Sequence, residues 1–428
     1  MKVFFHTLGC KVNRYETECM SAALHRAGFT DTADAATADV IVVNSCTVTA
    51  ESDRKTRQLV RRYRRQNETA VIVLTGCMPQ AFPADAEALP ADIILGNGSE
   101  RDIVAAVDAY FKSHSRVIKV AAHAREERFA ADGLEQFSGR SRAYMKIEDG
   151  CNRGCTYCII PKARGRVRSR PLDEIHSEAA RLAATGFCEV VLVGINLSSF
   201  GAECGLTLAD AVETVAGVPG ISRIRLGSLE PDLTDDSLLA RLKNIPAFCP
   251  QFHLSLQSGC DATLKRMNRL YTADDYRRLV QRIRALWDNA SITTDIMVGF
   301  AGETEAEFCA SLAFAEEIGF LKAHIFPYSV REGTAAAGLP DQVLEAEKVR
   351  RAARMAEACE AAALIQRKAQ CGTECEVLFE TCENGYTEGY SENFTRVFVP
   401  ERPDLAHTVR RVRLLRPMQD GILAELAE

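Results

Sequence analysis

Short apolar runs alternate with helical patterns along most of this chain, and that alternation restricts the possible fold more than any other feature. The first runs are KVFFHTLG, ADVIVVNS, AVIVLTG and ADIILG, and a stretch with helical periodicity separates each from the next. Continuous apolar strands separated by helices are typical of parallel sheets covered on both faces. We therefore predict an α/β protein in which residues 1–113 form a doubly wound parallel sheet.

A cysteine follows each of three predicted strands in this N-terminal region. These are Cys10 in LGC, Cys46 in NSC and Cys77 in TGC. The carboxyl ends of parallel strands share one edge of a sheet, where such folds bind ligands, so the three thiols are expected to lie near one another. We interpret them either as ordinary buried cysteines, a residue type common in cores, or as three ligands of a cluster with one open iron.

A second set of three cysteines lies in GCNRGCTYCIIPKARGRVRSRP, where Cys151, Cys155 and Cys158 have the spacing C-x3-C-x2-C. Tetrahedral zinc takes four ligands, and a cubane iron–sulfur cluster takes one thiolate per iron. Three thiolates therefore leave one iron for another ligand. The alternatives are a zinc loop and three unrelated cysteines. Basic residues follow the cysteines, and we consider two partners for them, an RNA backbone and a cofactor carboxylate. These residues are Lys162, Arg164, Arg166, Arg168 and Arg170.

The β-α alternation resumes at Arg142, after a segment without periodicity at 114–141 that we interpret as a linker. Six strand candidates, from AYMKIED to HIFPYS, predict a partial (β/α)6 barrel over residues 142–368. Ligands of such barrels bind at the carboxyl ends of the strands. Polar residues and glycines are concentrated at these predicted ends, among them Gly194, Asn196, Glu230, Ser255 and Gln257.

The C-terminal residues 369–428 have short polar–apolar alternations separated by turn residues, which predicts a small antiparallel β barrel. This segment contains six arginines and eleven acidic residues. Because its net charge is negative, RNA binding by counterion release is expected only from a narrow stripe of basic residues. The candidates are Arg396 and 410–413, or stacking on Tyr386, Tyr390 or Phe394.

One predicted helix is strongly basic although the whole chain has a formal net charge of −6. Its sequence RKTRQLVRRYRR, residues 54–65, contains no acidic residue, and Leu59, Val60 and Tyr63 share one face. The helix is therefore amphipathic with a basic outer surface, which either is simply solvated or binds phosphates. The candidate RNA-binding residues are Arg54, Arg57, Arg61, Arg62, Arg65 and, near the C-terminus, Arg396.

The compartment is predicted from what the sequence lacks. No apolar run approaches the ~18 residues of a membrane span, and MKVFFHTLGCKVN predicts a first strand rather than a signal peptide. We expect a cytoplasmic protein with no membrane partner. In that compartment the 16 cysteines are expected to bind metal, to be catalytic or to be buried, and not to form disulfides.

These motifs together resemble the radical S-adenosylmethionine methylthiotransferases. The residues that carry the resemblance are CNRGCTYC, the segments SLEP and HLSLQSG, and the three N-terminal cysteines. The resemblance implies two [4Fe–4S] clusters. Cys151, Cys155 and Cys158 would be the catalytic set, with S-adenosylmethionine on the open iron, and Cys10, Cys46 and Cys77 would bind the auxiliary cluster.

The resemblance also implies further contacts and a TRAM-like, RNA-binding C-terminal barrel. Tyr157 would lie near the adenine of the cofactor. The other implied S-adenosylmethionine contacts are Gly194, Asn196, Glu230, Ser255 and Gln257. Lys162 departs from the family pattern, in which Tyr follows Ile-Pro.

Within the family, GCKVNRYETE, NSCTVT and CTYCIIPKARG are most similar to the MtaB type. That type methylthiolates C2 of N6-threonylcarbamoyladenosine at position 37 of tRNA. The MiaB type, acting on isopentenyladenosine at the same position, is the second hypothesis, and the RimO type, acting on a ribosomal protein, is the third. A non-catalytic iron–sulfur sensor that binds RNA is the alternative from another class. The expected partners are the anticodon loop of tRNA and an electron donor such as flavodoxin or ferredoxin, and no DNA.

Overall fold

The structure is a computed structural model that describes residues 1–124, 126–130, 133–134 and 141–427. Its N-terminal part contains the strands β1 (Lys2–Thr7), β2 (Thr30–Asp31), β3 (Val40–Ser45), β4 (Val71–Gly76), β5 (Ile93–Leu95) and β6 (Val117–Lys119). The helices of this part are α1 (Lys11–Arg26), α2 (Ala50–Gln66), α3 (Cys77–Ala81), α4 (Pro83–Glu87) and α5 (Ile103–Ser113).

The six N-terminal strands form one parallel sheet in the order β2-β1-β3-β4-β5-β6. Along β3, Val40 and Val42 pack with α1 and α5, whereas Ile41 and Val43 pack with α2. Because successive strand residues point to opposite faces, this continuous apolar run requires helices on both sides. The predicted doubly wound sheet is confirmed.

The sixth strand lies inside the segment predicted as a linker. Val117–Lys119 pairs in parallel with Ile93–Leu95, so the sheet extends beyond residue 113. Three residues are too few to show a strand periodicity. The sequence pattern therefore did not predict this edge strand. Residues 125, 131–132 and 135–140 of the predicted linker lie outside the described residues.

The central part is a barrel of parallel strands with helices outside. Its strands are β7 (Ala143–Lys146), β10 (Glu189–Val193), β11 (Arg223–Leu226), β12 (Ser228–Leu229), β13 (Gln251–Leu254), β14 (Ser291–Val298) and β15 (Lys322–Pro327), and β8 (Glu148–Asp149) and β9 (Arg168–Ser169) form a short antiparallel pair. Its helices are α6 (Ile160–Arg164), α7 (Leu172–Ala184), α8 (Leu208–Ala216), α9 (Asp236–Lys243), α10 (Asp261–Arg266), α11 (Ala273–Leu286), α12 (Glu305–Ile318) and α13 (Glu345–Gln370).

The third barrel strand is interrupted at Gly227, which separates β11 from β12. One half of the barrel is therefore the sheet β11-β10-β7, and the other is β12-β13-β14-β15. Counting β11 and β12 as one strand, the barrel has the six parallel strands that were predicted. Val12 and Tyr15 of α1 belong to its apolar core, so the N-terminal sheet is docked on the barrel through this helix.

The C-terminal part is a closed barrel of β16 (Glu374–Glu383), β17 (Tyr386–Ser391), β18 (Arg396–Pro400), β19 (Val409–Met418) and β20 (Gly421–Leu426). All its pairs are antiparallel except β18 with β20, which are parallel. The turn between β17 and β18 touches the amino ends of the central strands, where the Ser291 hydroxyl donates to the Asn393 carbonyl. No helix in the described part of the chain has the length and apolar character needed to cross a bilayer.

Candidate active site

The three N-terminal cysteines lie at one edge of the N-terminal sheet. β1, β3 and β4 are neighbours in this sheet, and one cysteine follows each of them. Cys10 immediately precedes α1, Cys46 lies between β3 and α2, and Cys77 opens α3. A Cβ added to Gly9 would lie 2.9 Å from the Cys46 Cβ atom, so the first two loops are in contact. We call these three residues the auxiliary cysteines.

The auxiliary cysteines differ in burial. Cys10 is exposed, whereas Cys46 and Cys77 are buried. Burial raises the pKa of Cys46 and raises the pKa of Cys77 to about 12, although the nearby Arg164 guanidinium opposes the latter change. Arg164 Nε donates to Cys77 Sγ at 3.2 Å. Forming a thiolate at Cys77 therefore requires nearby positive charge, which Arg164 and a bound metal both provide.

The loop between β8 and α6 carries Cys151, Cys155 and Cys158, which we call the loop cysteines. Burial raises the pKa of Cys151 to about 11 and that of Cys158 to about 12. Two side chains from other parts of the barrel donate to this set. Asn196 Nδ2 lies 3.7 Å from Cys151 Sγ, and Arg269 Nη1 lies 3.3 Å from Cys155 Sγ.

Neither cysteine set is arranged as a complete metal site. Within the described ranges, no three histidine, cysteine or acidic side chains form such a group. Each set nevertheless supplies three sulfur donors on adjacent loops or turns, a ligand type that fits iron–sulfur clusters. The donor chemistry fits two such clusters, each with one iron left for a ligand from outside the protein.

Two buried oxygen atoms near Cys151, Glu148 Oε1 and Asn196 Oδ1, have no hydrogen-bond partner among the residues that the structure describes. The other carboxyl oxygen of Glu148 accepts from the Asn196 backbone N–H at 2.7 Å. Burial raises the pKa of Glu148, and the neighbouring Asp149 adds to the effect. A Cβ on Gly194 would lie 2.6 Å from Glu148 Oε2. Unpaired buried polar atoms are rare in folded proteins, so this position suits a polar ligand group.

Glu230 and Ser255 meet at Arg269, beside Cys155. The Arg269 guanidinium donates to the Glu230 carboxylate and to the Ser255 carbonyl, the latter at 3.3 Å. Tyr271 Oη also donates to the Ser255 carbonyl at 2.6 Å. The sequence analysis missed Arg269, because it follows α10 and does not lie at a strand end.

Gln257 and Tyr157 complete the predicted cofactor set. Gln257 has a φ of +65°, an uncommon value for a residue with a side chain, and its backbone bonds to Asp295 and Met297 of β14. The Tyr157 ring packs edge-on against Phe300, with 6.2 Å between centroids. Tyr157 thus lies in the cysteine loop, and Gln257 lies at a neighbouring strand end.

Arg164 connects the two cysteine sets, a role that no local sequence pattern indicates. Its side chain is fully buried. Besides Cys77, it donates to the Glu16 carboxylate, one bond measuring 3.0 Å, and to Asn13 Oδ1 at 3.3 Å. Asp149, which precedes the cysteine loop, lies 3.4 Å away. Lys146 completes the network, with its ammonium 2.7 Å from both Glu16 and Asp149.

Three of the five basic residues after the cysteine loop are buried in internal ion pairs. Arg168 lies 3.4 Å from Asp149, and Arg170 pairs with the buried Glu178. Together with Arg164, these residues cannot meet an RNA backbone. Lys162 and Arg166 are exposed, and the Lys162 ammonium lies 4.6 Å from the centre of the Phe82 ring.

The basic helix α2 presents most of its predicted residues to solvent. Arg54, Arg61, Arg62 and Arg65 are exposed, and Arg57 is half-buried. Arg54 pairs with Glu51 at 2.6 Å. A groove of about 760 Å³ runs beside the helix, and its lining includes His6, Leu8, Lys55, Arg61, Arg62 and Arg65.

Three of the predicted RNA contacts in the C-terminal barrel, Arg396, Tyr390 and Phe394, have internal partners. Arg396 pairs with both Glu388 and Asp420. Tyr390 and Phe394 stack on each other, 4.5 Å between centroids, and the Arg142 guanidinium lies over both rings. Because they already pack against the central barrel, these two aromatic rings are not free to stack on RNA bases.

The interior of the central barrel is rich in charge. Buried Glu189 lies 2.6 Å from Arg223, 2.8 Å from Arg225 and 3.6 Å from Arg142. Although burial raises the pKa of Glu189, these three guanidiniums lower it to about 2. Lys11 is exposed to solvent, yet the desolvating effect of the surrounding protein atoms, together with Arg142 and Arg225, lowers its pKa to about 8.

Comparison with known proteins follows the same division of the chain. Residues 2–96 match the profile described as Uncharacterized protein family UPF0004, and residues 145–315 match the Radical SAM superfamily. The threonylcarbamoyladenosine tRNA methylthiotransferase MtaB of Thermotoga maritima is 38% identical over 95% of this chain and 94% of its own length. The chain belongs to the radical S-adenosylmethionine methylthiotransferase family.

A methylthiotransferase with a different substrate in its name is also similar to this chain. The tRNA-2-methylthio-N(6)-dimethylallyladenosine synthase of Pelotomaculum thermopropionicum is 34% identical over 87% of this chain and 85% of its own length. Among solved structures, the radical S-adenosylmethionine methyltransferase TsrM of Kitasatospora setae has a TM-score of 0.57 at 16% identity, covering 76% of this chain and 72% of its own. That likeness supports the fold of this methylthiotransferase and no more.

Proposed function

We propose that this methylthiotransferase transfers a methylthio group to C2 of N6-threonylcarbamoyladenosine at position 37 of tRNA. The observation that carries the proposal is the 38% identity over 95% of the chain to a threonylcarbamoyladenosine tRNA methylthiotransferase, compared with 34% identity to the dimethylallyladenosine synthase of Pelotomaculum thermopropionicum. All six cysteines of the two sets lie within the residues that match the two family profiles. We assign the activity to the cytoplasm, where tRNA is modified.

In this proposal each cysteine set holds one [4Fe–4S] cluster. The loop cysteines hold the catalytic cluster, and the auxiliary cysteines hold the cluster at which sulfur is transferred. Bound S-adenosylmethionine and the clusters supply a 5′-deoxyadenosyl radical, sulfur and a methyl group, which is the chemistry that the protein itself lacks. The electron that this chemistry requires would come from a donor such as flavodoxin or ferredoxin.

The protein residues position the cofactor and exclude water. The unpaired oxygens of Glu148 and Asn196 offer acceptors for the amino group of the cofactor, next to Cys151. Arg269 holds Glu230 and the Ser255 carbonyl beside Cys155. These contacts fix polar groups before the reaction begins, which is how preorganised sites reduce the reorganisation that a reaction requires.

The tRNA is proposed to lie along α2. This helix begins only a few residues after Cys46, and its basic face and the adjoining groove lead away from the auxiliary cysteines. The backbone N–H of Ala50 donates to Ser329 Oγ at 3.2 Å, and Arg331 pairs with Asp53 at 2.8 Å. These bonds hold the start of the helix against the loop that follows β15. Phosphates bound on this face would therefore bring an anticodon loop to the cysteine edge.

The direct test is nucleoside mass spectrometry of tRNA from a strain lacking this gene. We expect loss of the 2-methylthio group from threonylcarbamoyladenosine and its return when the wild-type gene is restored. A variant with the loop cysteines replaced by Ala is expected not to restore it. Loss of the group from dimethylallyladenosine instead would refute the proposal and favour the activity named for the relative from Pelotomaculum thermopropionicum.

A second measurement separates an enzyme from an RNA-binding iron–sulfur sensor. Anaerobically reconstituted protein, given dithionite and S-adenosylmethionine, is expected to form 5′-deoxyadenosine. Absence of this product from protein with both clusters intact would contradict the enzymatic function.

A further inference from the structure

Lys11 lies on the side of α1 that packs on the central barrel. It is the first residue of α1, immediately after Cys10, and its side chain is exposed to solvent. Tyr15, one helical turn later, belongs to the apolar core of the barrel, and residues four apart share a helix face.

The Lys11 ammonium also has charged neighbours in the barrel. It is within electrostatic range of Arg142, Arg225 and Asp295. These residues lie next to β7, on β11 and on β14, so they come from both halves of the barrel. Lys11 is therefore both exposed and close to charged side chains of the two sheets.

Lys11 has no hydrogen-bond or ion-pair partner in the part of the chain that the structure describes. Its charged neighbours do have partners. Arg225 donates to Glu189 at 2.8 Å and to the carbonyls of Ser391 and Glu392, each at 2.6 Å. Lys11 is thus the cation in this group that remains available to a ligand.

The other charges around Lys11 balance one another. The three guanidiniums that share Glu189 are matched by Glu189 itself, by Glu380, which lies 3.0 Å from Arg142, and by Asp295, which lies 3.3 Å from His253 Nε2. The Lys11 ammonium is therefore the unbalanced charge of this group. An anionic ligand group would pair with it, whereas an apolar group would leave that ammonium desolvated and unpaired, which is costly.

We propose that Lys11 binds the carboxylate of the threonyl group on the substrate base. This proposal rests on the proposed function. In threonylcarbamoyladenosine a carbonyl group joins the amino nitrogen of threonine to N6 of the adenine, so the carboxylate of the threonine stays free. A dimethylallyl group, in contrast, has no polar atom. Since Lys11 adjoins Cys10, the binding position lies beside the auxiliary cysteines, near which C2 of the same base must lie. Lys11 is thus a specificity-determining residue for the acidic modified base.

The test compares binding of three anticodon stem–loop RNAs to the reconstituted protein. They carry threonylcarbamoyladenosine, its methyl ester or dimethylallyladenosine at position 37, and dissociation constants are measured by fluorescence anisotropy at one salt concentration. Wild-type protein is expected to bind the acid at least about tenfold more tightly than the ester, a typical effect of a charge-assisted hydrogen bond. In Lys11→Met this ratio is expected to fall close to one.

Lys322→Met is the matched control, because Lys322 is exposed at the first residue of β15 and its replacement removes the same charge. It is expected to keep the wild-type ratio. Iron content of both variants is measured as well, and loss of iron from Lys11→Met would assign Lys11 to the cluster instead and overturn the proposal.

The result distinguishes failure of the inference from failure of the proposed function. The same three RNAs are also incubated with the reconstituted protein, dithionite and S-adenosylmethionine, and the methylthiolated nucleosides are measured by mass spectrometry. If wild-type protein methylthiolates the acid but Lys11→Met keeps the tenfold preference for binding the acid over the ester, Lys11 does not bind the carboxylate. If wild-type protein methylthiolates only the dimethylallyl RNA, the proposed function itself is wrong.

Discussion

Replacing Arg164 by Gln tests whether the buried network between the two cysteine sets stabilises the fold. The change removes a fully buried cation from Glu16, Asp149 and Cys77. Removing one member of a buried ion pair typically costs 3–5 kcal/mol. Lys146 still lies 2.7 Å from both carboxylates, so we expect the lower value, about 3 kcal/mol.

The assay is urea unfolding, followed by fluorescence of Trp287, the single tryptophan, which packs against Phe248 and Phe252 in the barrel core. Hydrogen exchange along α1 reports on the N-terminal side of the junction. Arg278→Gln is the control, because that side chain is 59% exposed although it pairs with Asp274, and exposed pairs contribute about 0–1 kcal/mol. If Arg164→Gln is destabilised no more than Arg278→Gln, the network does not stabilise the fold.

Three further predictions concern pH, metal content and RNA. The lowered pKa of Glu189, about 2 against an ordinary 4.5, means that its stabilisation is present above about pH 5 and is lost as the pH falls towards 2. It amounts to about 3 kcal/mol, and Glu189→Gln should abolish this pH dependence in urea unfolding measured from pH 5 to pH 3. Replacing the auxiliary cysteines by Ala is expected to remove about four of about eight irons from anaerobically reconstituted protein. Full iron retention would show that these cysteines bind no cluster. Replacing three exposed arginines of α2 by Glu is expected to weaken tRNA binding. The number of counterions released on binding, read from the slope of log K against log salt concentration, should fall by about two. The same replacements on α11 should change neither quantity. The two sets are Arg61, Arg62 and Arg65 on α2 and Arg277, Arg278 and Arg282 on α11.

The sequence predicts the features that arise from local patterns. Strand β3 is a continuous buried run, and Cys46 follows it directly, so both the sheet and the position of this thiol could be inferred from periodicity and spacing. The same argument placed Asn196 and Glu230 at strand ends, and the structure brings both near the loop cysteines.

Charge partners are what the sequence could not predict. Arg164 belongs to a basic run that could equally have faced RNA, and its partner Glu16 lies far away along the chain. The sequence around Phe394 is typical of an exposed turn. In the structure, however, the Phe394 ring packs against Arg225, whose guanidinium carbon lies 5.1 Å from the ring centre. In both cases burial depends on which distant element docks against the residue, and a local pattern carries no information about that.

These long-range contacts determine how the two cysteine sets face each other. Arg164 ties the end of α6 to Glu16 of α1 and to Cys77, while Arg331, beyond β15, bonds to Thr47 and Asp53 next to Cys46. The N-terminal sheet is thus held to the barrel at two separate points. Moving it would separate buried ion pairs, at several kcal/mol for each pair. We therefore expect the N-terminal sheet and the barrel to keep their relative positions when RNA binds, so that the bound RNA brings the substrate base to the cysteine sets.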